Sequence, residues 1–245
     1  MAKYALYLVL FAAYISISGG SNNVCTIPPL NNDLSGDNFY ASSICNQEFV
    51  DFVWVQFEIH IGDWDGGLGV EAPCNVNLPF ARALNTLYLM AYSSDDYARN
   101  MSDFSGNALR WAFPYCAIHA EELDAACGNG TAFATRFSDH GIFQNGRIEL
   151  YLPFFYQMDV PSRAGTILHE THHKFKDHNG GTACPWGNTC DSDWNFQGTN
   201  MYETLYLWWF GVAGTRTTEA IRRLALNQAR VWHNNRFVVN PGFSI

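Results

Sequence analysis

The stretch HETHH, from His169 to His173, places three imidazoles around one glutamate in a segment with helical character. On a helix, side chains four residues apart lie on one face about a turn from each other, so His169 and His173 can reach a single cation. Glu170 follows the first histidine, where its carboxylate would lie beside a metal-bound water and would not be a ligand. This spacing predicts a zinc site in which the metal acidifies water, the glutamate removes a proton and the hydroxide attacks a polarised carbonyl.

The competing interpretation of the same residues is a solvated, histidine-rich helix face. His172 points away from its two neighbours on a helix, and we expect it to lie on the surface. The helix interpretation itself rests on a proline in the first turn and an apolar stripe, followed by an Asp-His-Asn-Gly-Gly sequence that stops helices.

Two histidines leave a catalytic zinc short of a ligand, because such sites generally use three protein groups and one water. Together with the preceding RIELYLPFF, the HETHH motif resembles the zincin metallopeptidases over about 60 residues, from 147 to about 210. In the metzincin branch the third ligand is a histidine that follows a glycine turn. This chain has Lys176 at the position of that glycine and Asn179 at the position of that histidine, with His178 one residue early. A shorter turn through Asn179-Gly180-Gly181 would bring His178 to the metal.

Other zincin branches suggest other third ligands. The gluzincins take a glutamate from a downstream helix, which Glu203 matches. The aspzincin motif GTxDxxYG is kept at Gly198-Thr199 but has Met201 at the position of the aspartate. Asp191 is a further carboxylate, beside a cysteine. The order of His178, a cysteine pair, Asp191 and a Tyr-bearing apolar helix resembles small secreted zincins, and on that resemblance we place His178 first.

Tyr202 is the candidate for a second catalytic residue. It precedes Tyr206 by four residues on the same predicted helix. A tyrosine hydroxyl stabilises the developing oxyanion in several zincins, whereas the alternative for this pair is packing in the core.

The periodicity of the chain predicts the elements that would position these residues. Residues 49–61 alternate as in a strand, and residues 78–97 and, less clearly, 117–126 have helical spacing. We expect an α+β, zincin-like single domain: a mixed sheet with an edge strand near residues 147–155, an active-site helix near 162–176 and a helical C-terminal part. The last helix should be amphipathic, with Thr218 as its N-cap.

The N-terminus and the cysteines both indicate export. Residues 1–20 read as a signal peptide, with Lys3 before an apolar run, and residues 21–245 would be the secreted domain. Residues 21 to about 75 could instead form a pro-segment. All seven cysteines follow the signal peptide, Cys184 and Cys190 form the expected local disulfide, and the odd number leaves one thiol unpaired. Sequons at Asn100 and Asn129 would carry glycans in a eukaryotic host.

The composition limits the partners. The 245-residue chain is 48% apolar, which suits a globular core, and it has 23 acidic and 14 basic residues for a net charge of −9. Such a charge, without a basic cluster, argues against nucleic acid and against stable membrane association.

Together with the motif, the resemblance to zincins implies a secreted zinc endopeptidase, with Zn²⁺ bound by His169, His173 and His178. Glu170 would act as general base and as proton donor to the leaving amine, and an extended peptide would lie along the edge strand. Two alternatives stay open: a non-catalytic extracellular binding or structural protein that keeps the metal helix, and a carbohydrate-binding or carbohydrate-cleaving protein that uses tryptophan side chains. The oligomeric state stays open too.

Overall fold

The structure is a computed structural model that describes residues 24–27, 45–94, 108–120, 122–128, 134–135, 147–184 and 189–245. The predicted signal peptide, residues 1–20, lies outside these ranges, as do the sequons at Asn100 and Asn129.

The described part of the chain is mainly helical and has one small sheet. Its α-helices are α1 (Gln47–Gln56), α2 (Pro79–Tyr92), α3 (Ala108–His119), α4 (Leu152–Gln157), α5 (Val160–His172), α6 (Thr199–Ala213) and α7 (Glu219–Asn235), and its strands are β1 (Glu122–Ala126), β2 (Ala134–Thr135) and β3 (Arg147–Tyr151).

The sheet is mixed, as predicted, but its geometry corrects the edge-strand prediction. The strand order is β1-β3-β2, with β1 parallel and β2 antiparallel to β3, so β3 is the central strand of the described sheet. The predicted strand at 147–155 also ends early, at Tyr151, because α4 begins at Leu152 with Pro153 in its first turn. Proline suits the first turn of a helix, where its missing N–H costs nothing. The α+β class is confirmed, and the zincin fold stays a prediction.

The predicted strand at residues 49–61 is wrong, since residues 49–56 belong to α1 and none of the rest is a strand. The buried residues of α1, Phe49, Val50 and Val53, follow helical spacing, and the Asn46 side chain caps the helix by accepting a hydrogen bond from the Phe49 N–H. Aromatic and β-branched residues favour strands on average, but here burial of one helical face outweighs that preference.

The predicted helix at residues 117–126 is also wrong. Helix α3 ends at His119, and β1 begins at Glu122. The pairing of β1 with β3 joins residues about 25 positions apart, and the Leu123 N–H donates to the Phe57 carbonyl on the other side. Such long-range partners override the local pattern. The helix expected at 78–97 is present as α2, ending at Tyr92.

The predicted active-site helix is confirmed as α5, which begins two residues earlier and ends four residues earlier than the predicted 162–176. The Asp159 side chain accepts a hydrogen bond from the Ser162 N–H, and Pro161 lies in the first turn. Helices α2, α3 and α6 all pack against α5. The helical C-terminal part is confirmed as α6 and α7, with Thr218 as the N-cap of α7.

Three disulfides join described residues: Cys25–Cys127, Cys45–Cys74 and the predicted Cys184–Cys190. The unpaired thiol that the odd count predicts belongs to Cys116, which is buried. These bonds are consistent with an oxidising compartment. None of the helices in the described ranges is long and apolar enough to cross a membrane.

Candidate metal centre

Three histidine side chains converge at the C-terminal end of α5. His169 lies in the last turn, His173 follows the last residue of the helix, and His178 lies five residues further in the next loop. One ring nitrogen of each lies within 4.8 Å of those of the other two. The ring centroids are 5.0 Å (His169–His173), 5.1 Å (His169–His178) and 4.9 Å (His173–His178) apart. This nearly equilateral arrangement suits the three protein ligands of a catalytic zinc, which keeps a fourth position open.

A tight turn brings His178 back to the helix end. Gly181 adopts a positive φ of 56°, and the Gly180 N–H donates to the Cys190 carbonyl at 2.9 Å. A Cβ on Gly180 would lie 2.7 Å from that carbonyl oxygen, so only glycine permits this approach. His178 lies beside His169 and His173, where the shorter turn considered from the sequence would place it. All three histidine side chains remain partly open to solvent, with 12%, 18% and 13% of His169, His173 and His178 exposed.

The two alternative third ligands, Glu203 and Asp191, contact the Nδ1 atoms of two of the histidines. Glu203 Oε2 lies 2.9 Å from His169 Nδ1, and Asp191 Oδ1 lies 2.9 Å from His178 Nδ1. A histidine that donates its Nδ1 proton to a carboxylate bears its lone pair on Nε2, which is how ligand histidines are oriented and made more basic. The donor set therefore fits a metal ion: imidazoles would bind it and buried carboxylates would balance its charge.

Both carboxylates are held inside the protein. Glu203 lies on α6 and is 5% exposed, while Asp191 has no exposed surface. Asp191 Oδ2 accepts a hydrogen bond of 3.1 Å from the Asn200 N–H in the first turn of α6. An anion is favoured at a helix N-terminus, so α6 supplies one carboxylate and stabilises the other.

The charges around the site disfavour simultaneous protonation of the histidines. Burial, and then the neighbouring His169 and His178, lower the pKa of His173 to about 3. Burial also opposes protonation of His169, but the hydrogen bond and the charge of Glu203 outweigh burial and raise its pKa. His173 has a weaker carboxylate neighbour, Asp177, with 3.3 Å between Nδ1 and Oδ1.

Glu170 follows His169 in the last turn of α5, and its role as general base stays a prediction. Burial raises the pKa of its carboxyl group to about 7, while His169 lowers it and Glu203 raises it. A carboxyl group in this environment exchanges protons near neutral pH, which is the property of a general base.

The prediction that His172 lies on the surface is wrong. This residue is 5% exposed because α3 and α6 cover its face of α5. The Tyr115 hydroxyl lies 2.8 Å from His172 Nδ1, and Nε2 lies 3.2 Å from the Gln197 carbonyl oxygen. Both ring nitrogens therefore have protein partners. Burial lowers the pKa of His172 to about 4, which keeps the ring neutral.

Tyr202 lies in an aromatic cluster beside the helix. Its ring stacks on His172 with centroids 3.8 Å apart and lies 5.4 Å from Trp111. Burial raises the pKa of its hydroxyl. Its catalytic role stays a prediction. Tyr206, the other member of the pair, has no exposed surface and belongs to the core.

Sequence reasoning missed the residues that hold the ligands in place. The roles of Glu203 and Asp191 as histidine partners, and the burial of His172 by Tyr115, depend on helices packed from distant parts of the chain. The one available signal was the presence of carboxylates near the third-ligand positions. A scan against protein-family models finds no match for this chain, and searches of curated proteins and of solved structures find none either.

Proposed function

We propose that this protein is a secreted zinc-dependent endopeptidase of the zincin type, with His169, His173 and His178 as the metal ligands and Glu170 as the general base. One observation carries the proposal: the two histidines of the HETHH motif and His178 place ring nitrogens within 4.8 Å of one another, at the partly open end of α5. A solvated helix face would not require a third histidine from a separate loop.

The chemistry would be divided between the ion and the protein. A zinc ion held by these histidines would act as a Lewis acid that polarises a carbonyl group and makes a water molecule more acidic. Glu170 would accept a proton from that water and then donate it to the leaving amine. Glu203 and Asp191 would keep the ligand rings oriented through their Nδ1 atoms.

The peptide substrate rests on the resemblance to zincins, and the extracellular location rests on the three disulfides. Addition of a peptide strand to β3 is not part of the proposal, because β1 and β2 already occupy both of its sides. The tryptophan pair Trp208-Trp209 has ring planes 75° apart and packs partly against the core, so the two rings do not form one flat surface for a sugar.

The test compares Glu170→Gln with the wild-type protein on a fluorogenic unfolded protein substrate. We expect cleavage by the wild type to require zinc, and cleavage by Glu170→Gln to fall by about 10²- to 10⁴-fold, the range for loss of a general base. The zinc content should not change. Glu71→Gln, which alters an exposed glutamate away from the site, is the matched control and should keep full activity.

If Glu170→Gln cleaves the substrate as fast as the wild-type protein does, the proposed mechanism is contradicted. Zinc binding without any cleavage by the wild type would instead favour the non-catalytic extracellular protein.

A further inference from the structure

The chain segment after α7 lies directly against Asp191. The Asp191 N–H donates to the Arg236 carbonyl at 3.0 Å, and the Val238 N–H donates to the Asp191 carbonyl at 2.9 Å. The Val239 N–H also donates to the Ser192 carbonyl at 2.9 Å. The pairing of Asp191 with Phe237 is a parallel β-bridge. We call residues 236–239 the C-terminal clamp, since they hold both backbone groups of Asp191.

The clamp is itself anchored to the body of the protein. Phe237 packs against Trp194 with ring centroids 5.3 Å apart. Further along, Phe243 lies 5.1 Å from Trp194 and 4.8 Å from His233 on α7. Arg230 Nε donates to the carbonyl of the last residue at 2.9 Å. The position of the clamp therefore depends on the packing of the last ten residues.

His178 needs external support more than the other two histidines do. His169 and His173 are placed by α5, whereas His178 lies in a loop. Its Nδ1 contacts the Asp191 carboxylate at 2.9 Å, and that carboxylate is buried. Thr199 Oγ1 and Asn200 Nδ2 also lie near this nitrogen, at 3.3 and 3.2 Å, but the Asp191 contact is the shortest. A buried side chain with a fixed backbone has little freedom, so the backbone position of Asp191 helps to set the position of the His178 ring.

We infer that the C-terminal clamp is a positioning element of the metal centre, which holds His178 in place through Asp191 and so sets the metal affinity of the site. The inference rests on the proposed function in that it takes His178 as a ligand. The docking of the chain's end and the binding of the ion are then coupled, and such coupling is reciprocal: each process strengthens the other by the same factor.

If the clamp strengthens zinc binding, zinc binding must also strengthen the docking of the clamp. The first test measures this second effect and needs no variant of the clamp. Hydrogen exchange of the Val238 amide, which donates to Asp191, is measured in the metal-free and zinc-saturated protein. We expect zinc to slow this exchange by about 10-fold or more, the scale of effects transmitted through residues behind a metal ligand. In His178→Ala, with zinc raised until the two remaining ligands are saturated, the slowing should disappear.

The second test removes a single clamp hydrogen bond. Val238→Pro lacks the N–H that donates to Asp191, while Val238→Ala keeps it and is the matched control. We expect Val238→Pro to weaken zinc binding by about 10- to 100-fold, measured by competition with a chromophoric chelator, and to alter the visible spectrum of the cobalt-substituted protein. Val238→Ala should bind zinc within about 2-fold of wild type, since it keeps the coupling contact. Circular dichroism of the metal-free proteins shows whether both variants are folded.

The outcomes separate this inference from the proposed function. Equal exchange at Val238 with and without zinc, in a protein that binds zinc, overturns the inference alone, as does unchanged zinc affinity in folded Val238→Pro. Slowing of the same size in His178→Ala also overturns it, because the effect would then not pass through His178. A wild-type protein that binds no zinc overturns both. If Val238→Pro does not fold, hydrogen exchange in the wild type decides.

Discussion

His169, His172 and His173 lie within or beside one turn of α5, yet their ring nitrogens have different surroundings. His172 has Tyr115 and the Gln197 carbonyl as partners at its two ring nitrogens, while among the described residues His169 has a hydrogen-bond partner, Glu203, at Nδ1 alone. A ligand needs one nitrogen with an available lone pair, and the buried position of His172 leaves it none. This difference separates the structural histidine from the candidate ligands.

Replacement of His172 by alanine should therefore affect stability and not metal binding. The change removes the hydrogen bond to Tyr115 and the stacking on Tyr202, and it leaves a cavity. We expect the free energy of unfolding of the metal-free protein, measured in urea, to fall by about 2–3 kcal/mol. The folded variant should bind as much zinc as the wild type. Loss of zinc from folded His172→Ala would show that His172 acts in the metal centre.

The role of the Tyr202 hydroxyl can be tested with the ring kept in place. Tyr202→Phe retains the stacking on His172 but removes the group that would stabilise an oxyanion. If the predicted catalytic role is right, kcat falls by about 10²- to 10³-fold with little change in KM or in zinc content, as for other oxyanion donors. Tyr206→Phe, in the core, is the control. Unchanged kcat in Tyr202→Phe would make Tyr202 a packing residue.

At the scale of elements, α5 was predictable because its signals are local. The Asp159 cap, Pro161 and the apolar stripe all lie within the helix or next to it. Segments whose state depends on distant partners were not predictable. Strand β1 pairs with β3 and contacts Phe57, and α1 buries a face that also fits a strand pattern. The position of β3 within the sheet likewise depends on β1 and β2, which no local pattern specifies.

The approach of α5 to α6 depends on Gly165. A Cβ there would lie 3.2 Å from Glu203 Cγ and 3.3 Å from Leu207 Cγ. Gly165→Ala should therefore push Glu203 away from His169 and lower zinc affinity by about 10-fold. Chelator competition measures this effect, and Glu203→Gln should produce a similar loss.

The origin of the Gly165→Ala effect can be checked in a double variant. If the added methyl group acts through Glu203, Gly165→Ala should cause no further loss of affinity in the Glu203→Gln protein. Additive losses would instead point to a general displacement of α6.

An ion pair with one buried partner links strands β1 and β3. Arg147 contacts Asp124, which has no exposed surface. Arg147→Met leaves the carboxylate without its cation, and we expect the free energy of unfolding to fall by about 2 kcal/mol, less than for a fully buried pair because Arg147 is partly exposed. Urea unfolding measures the loss. Asp124→Asn added to Arg147→Met should restore part of the stability, and failure to do so would contradict the ion-pair explanation.

At the scale of the whole molecule, the candidate metal centre depends on four parts of the chain. Helix α5 supplies His169 and His173, and the loop that follows supplies His178. Helix α6 supplies Glu203, and the C-terminal clamp holds Asp191. The sequence motif predicts His169, His173 and the base Glu170 from their spacing alone. The sequence left His178, Glu203 and Asp191 open as third ligands, because only contacts made in the tertiary structure distinguish them.

The most direct test of the central claim is the zinc content of the purified protein by elemental analysis, measured for the wild type, His173→Ala and His178→Ala, with His172→Ala as the control. We predict about one zinc ion per wild-type chain, retained by folded His172→Ala and lost from the other two variants. A wild-type protein that binds no zinc when the ion is supplied, or zinc retained in full by His178→Ala, would contradict the three-histidine centre.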